Sequence, residues 1–137
     1  MREDDPKAWR SFADMDLEAA LVIVSSERAE ELAAVVCFHA HQAAEKYMKA
    51  LIVYGDEEPP RIHTLPELLR RAIEHVPELD NEQLRTAASG LNAYYIPSRY
   101  PVEVGGPEGP ITTSEAADAL SWAEAIASEV RPLLERG

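Results

Sequence analysis

At 137 residues, with 13 basic against 25 acidic side chains and a net charge of -12, the chain is sized for one domain burying about 68% of its unfolded surface. That charge excludes gripping a polyanion across a broad basic face, which needs clustered Lys and Arg. Cys37, alone of its kind, excludes an intrachain disulfide and is expected to be a buried thiol among Val35, Val36 and Phe38.

The start, Met1-Arg2-Glu3-Asp4-Asp5-Pro6, is charged and leads into no apolar run. No stretch reaches the roughly 18 continuous apolar residues of a membrane span. The expectation is therefore a cytoplasmic protein with neither signal peptide nor membrane anchor. Apolar residues recur with a period near 3.6 and nothing alternates like a strand, so the fold class is all-α. Pro6 suits the first turn of a helix reaching about Ser26, with Trp9, Ala13, Leu17, Ala20 and Val24 inward. A second helix, about Glu30 to Tyr54, is apolar on much of its circumference and belongs at the centre of a bundle. Its polar stripe is Gln42, Glu45, Lys46 and Lys49, with Glu45 spaced to pair Lys49, and Gly55 ends it.

Thr64-x-x-Glu67 reads as a capping box for a third helix, with Pro66 in its first turn and Leu65, Leu68, Leu69, Ala72, Ile73 and Val76 on one face. Pro77 forces a break. Asp80-x-x-Gln83 then reads as the cap of a fourth helix carrying Leu84, Ala87, Ala88, Leu91 and Tyr95 inward. A Pro/Gly-rich loop follows, and a last helix starts at Thr112 or Thr113 with support from Glu115; Pro132 should weaken its last turn. With helices three and four behaving as one broken element, the architecture expected for residues 1–137 is a single domain, an antiparallel four-helix up-and-down bundle with a short extra helix.

Few residues carry chemistry. His39-x-His41 has the look of a metal pair, but helical residues two apart point about 200° away from each other. No zinc or di-iron spacing occurs elsewhere, so no metal and no cofactor are expected; His39 reads as a satisfied bundle histidine and His41 as a surface one. Arg70 and His75 fall about 140° apart on a helix, so Arg70-Arg71 read as a solvated face and His75 as a partner of the helix dipole. The stretch Tyr94-Tyr95-Ile96-Pro97-Ser98-Arg99-Tyr100-Pro101 survives this screen. Arg99 offers a planar cation that can fork to phosphate, and Tyr94, Tyr95 and Tyr100 offer faces for a base. Alternatively the tyrosines seal the bundle end and Arg99 pairs with a carboxylate. Lys46 and Lys49 join the candidate ligand-binding set.

Asp16-Leu17-Glu18-Ala19-Ala20, the block from Cys37 to Leu51 containing Gln42-Ala43-Ala44-Glu45-Lys46, then His63-Thr64-Leu65, and the Tyr95-to-Pro101 loop occur in an order that resembles prokaryotic HEPN-domain proteins. The resemblance spans roughly Trp9 to Leu134. It implies a helical bundle that forms homodimers, often beside a minimal nucleotidyltransferase as a toxin and antitoxin pair, and acting as a metal-independent ribonuclease or a nucleotide- or RNA-binding module. In catalytic members an arginine and a histidine four to six residues apart work together at the dimer cleft. Here the arginine of that motif is Arg99, the position five residues on is Val104, and no histidine follows. Glu103 beside a cation would have its pKa lowered, the wrong direction for acid catalysis near neutral pH. The expected function is binding without cleavage, with ribonuclease activity, or service as partner or substrate of a nucleotidyltransferase, as the alternatives.

Overall fold

The computed structural model describes residues 5–94 and 111–136. It contains five α-helices: α1 (Pro6–Val24), α2 (Ala33–Tyr54), α3 (Leu65–His75), α4 (Glu82–Leu91) and α5 (Thr113–Leu134), with single 3-10 turns at Pro77–Leu79 and Asn92–Tyr94. Among the described residues there is no strand, in keeping with the all-α expectation. α2 is the central element. Its buried residues, including Val36, Ala40, Ala44, Tyr47, Met48 and Leu51, lie around most of its circumference, and Cys37 is buried with them.

Alanine dominates the contact positions: Ala13 and Ala20 of α1, Ala40 and Ala44 of α2, Ala87 and Ala88 of α4, and Ala119, Ala123 and Ala127 of α5 are all buried. Small side chains let helix axes approach closely, and the space between them is filled by a few large ones such as Tyr47, Met48, Leu51 and Ile126. α4 comes close to α5 at Gly90, where a Cβ would lie 2.5 Å from the Trp122 ring.

Helices three and four do not form one broken element. His63 contacts Glu45 in the middle of α2, whereas His75 contacts Glu57 just past its end. Segment 55–64 therefore runs back along α2, and α3 then travels in the same direction as α2. α4 returns the opposite way, its start held to α5 by Asn81–Glu129 and its end to α3 by Asn92–Leu65. α3 packs chiefly on α2 and α4 chiefly on α5, so the two short helices, running in opposite directions, share the remaining side of the bundle.

Helix ends depart from the sequence pattern where a distant group wins. α1 stops at Val24 and α2 begins only at Ala33, with turns between them. The Thr64 side chain makes no cap bond; the Leu65 N–H donates instead to Asn92 Oδ1 at 3.0 Å, and Glu67 is occupied by Arg70 and Arg71. That carboxyl is held down to about pKa 2, chiefly by its bond from Arg70. Asn81, not Asp80, caps α4 through the Leu84 N–H at 2.9 Å, because Asp80 accepts from Arg85. The α5 box forms as expected: the Glu115 N–H donates to Thr112 Oγ1 and the Thr112 N–H to Glu115 Oε1, both at 3.1 Å. α5 continues through Pro132 to Leu134.

At the end of α2 the left-handed position is Asp56, with φ 68°, rather than Gly55. The Asp56 and Glu57 N–H groups close on Val53 and Ile52 in the pattern that commonly finishes a helix. Gly55 matters for space, since a Cβ there would lie 2.3 Å from the His75 ring. His75 itself is engaged by Glu57 at 2.7 Å rather than by the helix dipole alone.

Because the α3 cap comes from Asn92, Asn92→Ala should cost about 1 kcal/mol in urea denaturation. Thr64→Ala, at the residue that the sequence marks as the cap, should cost under about 0.5 kcal/mol.

Candidate functional site

The polar residues of α2 form three connected groups, each tied to a different neighbour. Toward α1, Asp16 receives two partners: His39 Nδ1 at 2.8 Å and Lys46 Nζ at 2.6 Å. Lys46 also lies over the Phe12 ring, 5.9 Å from its centroid. His39 is thus the satisfied bundle histidine expected of it. Toward α1 and α5 together, Tyr47 Oη donates to Asp14, while Arg131 approaches Asp14 Oδ1 with Nε at 3.1 Å and Tyr47 Oη with a terminal nitrogen at 2.9 Å. Burial first, and then the bond to Asp14, push the Tyr47 hydroxyl pKa up. That tyrosine is a neutral donor fixing three helices together.

Toward the 55–64 segment, Glu45 is 6% and Lys49 5% exposed. Lys49 donates to Glu45 Oε2 at 3.0 Å, His63 Nδ1 lies 3.0 Å from the same oxygen, and the Trp9 ring lies 5.7 Å from the ammonium. The spacing that pairs Glu45 with Lys49 was legible in the sequence; the burial of the pair was not. A helix apolar on most of its circumference carries the signal, because polar residues on it must be covered by something. His41, expected at the surface, is fully buried one helical turn before Glu45, with its Nδ1 3.9 Å from Glu45 Oε1. Burial drives its pKa down to about 4, and the nearby Glu45 charge only partly opposes this.

The six residues expected to bind a ligand fall in two groups. Tyr95, Arg99 and Tyr100, with Glu103 and Val104, lie outside the described residues. Tyr94 is buried at the root of that segment with Oη 3.3 Å from Glu115 Oε2. Lys46 and Lys49 face α1 and each is bonded to a carboxylate. The segment 95–110 departs two residues after Asn92, whose side chain holds Leu65, itself two residues from His63. The Glu45 cluster and the root of the tyrosine segment are therefore linked through the start of α3. His39 and His41 are apart, the first on Asp16 and the second beside Glu45, as their helical spacing requires. Among the described residues no group of three or more His, Cys, Asp or Glu is placed to hold a metal ion.

His41 gives a pH dependence with a definite sign. The folded chain keeps this imidazole neutral down to about pH 4, whereas the unfolded chain protonates it near 6.5. Its contribution to stability is complete above pH 6.5 and is lost as the pH falls toward 4, by on the order of 3 kcal/mol. Urea midpoints measured from pH 7 to 4.5 should fall for the wild type, and His41→Gln should flatten that slope.

No helix among the described residues is long and apolar enough to cross a membrane. The HEPN domain family model matches residues 6–133. The crystal structure of ST0689, an archaeal HEPN homologue, is 27% identical with a TM-score of 0.75, over 98% of this chain and 100% of that one. That of TT1696 from Thermus thermophilus is 32% identical with a TM-score of 0.71, over 93% of this chain and 96% of that one. No curated protein matches the chain. With the family match running from the first turn of α1 to the last turn of α5, the chain belongs to the HEPN domain family.

Proposed function

We propose that this chain is a homodimeric, cytoplasmic HEPN module that binds a nucleotide or a short RNA segment through Arg99 and the neighbouring tyrosines, and that it does not cleave RNA by the arginine–histidine pair of the catalytic members. The observation that carries this reading is Arg99 followed by Val104, with no histidine anywhere after Arg99 in the sequence. All four histidines stand at or before His75, and three of them have ring nitrogens within 3.0 Å of a carboxylate oxygen: His39, His63 and His75. Guanidinium and aromatic groups without a proton-transfer partner suit holding phosphate and base rather than moving a proton to and from a ribose hydroxyl. Lys46 and Lys49 enter this reading only by exchanging their carboxylates for a phosphate, which for the buried Lys49 would require Glu45 to give way.

The acidic balance, -12 overall, favours a second reading in which a basic protein partner meets this surface. In a toxin and antitoxin setting that partner is a minimal nucleotidyltransferase, with a loop tyrosine as the acceptor of a nucleotidyl group. Co-expression with such an enzyme and intact-mass measurement test this directly: neither co-purification nor added nucleotide mass would count against it.

For the leading reading, the wild type in excess EDTA should bind AMP or a short single-stranded RNA and leave the RNA intact. Arg99→Ala should weaken binding by about tenfold or more, the loss of one charge-assisted phosphate contact. RNA degradation in EDTA by the wild type, abolished in Arg99→Ala, would replace binding with metal-independent ribonuclease activity.

A further inference from the structure

α2 holds His63 at two points. Its Nδ1 lies 3.0 Å from Glu45 Oε2, and its backbone lies against the ring of His41. Both holding residues are buried, while the His63 side chain is 47% exposed. A carboxylate only accepts hydrogen bonds, so the hydrogen between the two groups belongs to Nδ1. In the neutral imidazole that tautomer makes Nε2 an acceptor, directed away from Glu45 toward the exposed side of the ring.

Stability alone does not account for this arrangement. Glu45 Oε2 takes both Lys49 and His63, yet the buried Oε1 receives no hydrogen bond from the described residues. An apolar side chain would fill the same place at less cost than a carboxylate with one oxygen unmet. Nor does the cluster present a net charge. Lys49 matches Glu45, the Trp9 ring lies over the ammonium, and burial keeps His41 neutral down to about pH 4. What reaches the surface is an imidazole fixed in one orientation and one tautomer.

We propose, on the nucleotide-binding reading above, that His63 Nε2 accepts a hydrogen bond from the ribose 2′-hydroxyl of the bound nucleotide or RNA, and so selects ribose over deoxyribose. Leu65, two residues beyond His63, is bonded to Asn92, and the Asn92–Tyr94 turn that leads into the Arg99 segment packs on α2. His63 therefore stands near the root of that segment. In a nucleotide the ribose joins the phosphate, which Arg99 holds in that reading, to the base, which the tyrosines stack. The 2′-hydroxyl is the one that an RNA chain leaves unesterified, and it distinguishes RNA from DNA. An acceptor already fixed in place loses little freedom on meeting it. Cleavage would also need a proton donor at the leaving oxygen. No second histidine is placed to supply one, since His39 and His75 bond Asp16 and Glu57 elsewhere and His41 is fully buried.

Titration calorimetry of AMP and of a short single-stranded RNA, each against its 2′-deoxy counterpart, tests this on the wild type. The ribose form should bind about fivefold to tenfold more tightly, the worth of one hydrogen bond. His63→Phe, which keeps a ring and loses both nitrogens, should bind the two forms alike, whereas a purely structural histidine would leave their ratio unchanged. Equal affinities in the wild type, or a preference that survives in His63→Phe, would overturn the inference and leave the binding reading standing. Failure of the wild type to bind any of these ligands would overturn both. Nitrogen-15 spectra of histidine-labelled wild type read the tautomer without a substitution: His63 should carry its hydrogen on Nδ1, and its Nε2 signal should move with AMP and not with 2′-deoxy-AMP. A hydrogen on Nε2 would overturn the inference, as would RNA cleavage that His63→Phe abolishes, which would make His63 a base and not a reader of the hydroxyl.

Discussion

A carboxylate taken out of water must be met by partners that make good its lost hydration, or it will not stay charged. Glu45 is that group here, on the helix that every other helix packs around. It is met by Lys49 from its own helix and by His63 from the returning segment. The lysine contact is local and would form in an isolated helix. The histidine contact is not, and it fixes where residues 55–64 lie, hence where α3 starts and where Asn92 must be to cap it. From that cap the chain passes directly into Tyr94 and the segment carrying Arg99. A buried ion pair is weak support for stability in itself, but breaking one side of it is costly, so it acts here as a constraint on position.

Two other polar groups on α2 divide the remaining work. Asp16, His39 and Lys46 set the register of α1, and Asp14, Tyr47 and Arg131 lock α1 to α5. Both consume the charges of α1 on its inner sides. Between them α1 keeps an apolar inner stripe of Ala13, Leu17 and Ala20, while Phe12, Met15 and Val22 stand exposed on its outer side.

The helices were legible because apolar periodicity and Pro and Gly punctuation act locally, and the Thr112–Glu115 box formed where it was read. Position in the bundle was less legible. Thr64 and Glu67 match a capping box letter for letter, yet Asn92 takes the Leu65 N–H and Arg70 and Arg71 take Glu67. His41 looked like a surface residue because nothing within its own helix says what lies outside; its burial depends on a neighbouring element. Likewise the direction of α3 depends on one histidine in an unpatterned stretch, which no helical period announces. Candidate ligand groups on α2 were identified by charge alone, and the structure shows that charge already matched within the chain.

The claim most exposed to test is that Glu45 and His63 act on each other rather than merely lying close. A double-mutant cycle in urea, with Glu45→Ala, His63→Ala and the pair, measures that coupling directly. A mutual term of about 1 kcal/mol or more is the result this account requires. Additive losses would mean that the 55–64 segment is placed by its packing alone, and that the chain of contacts from α2 to the root of the Arg99 segment does not begin at Glu45.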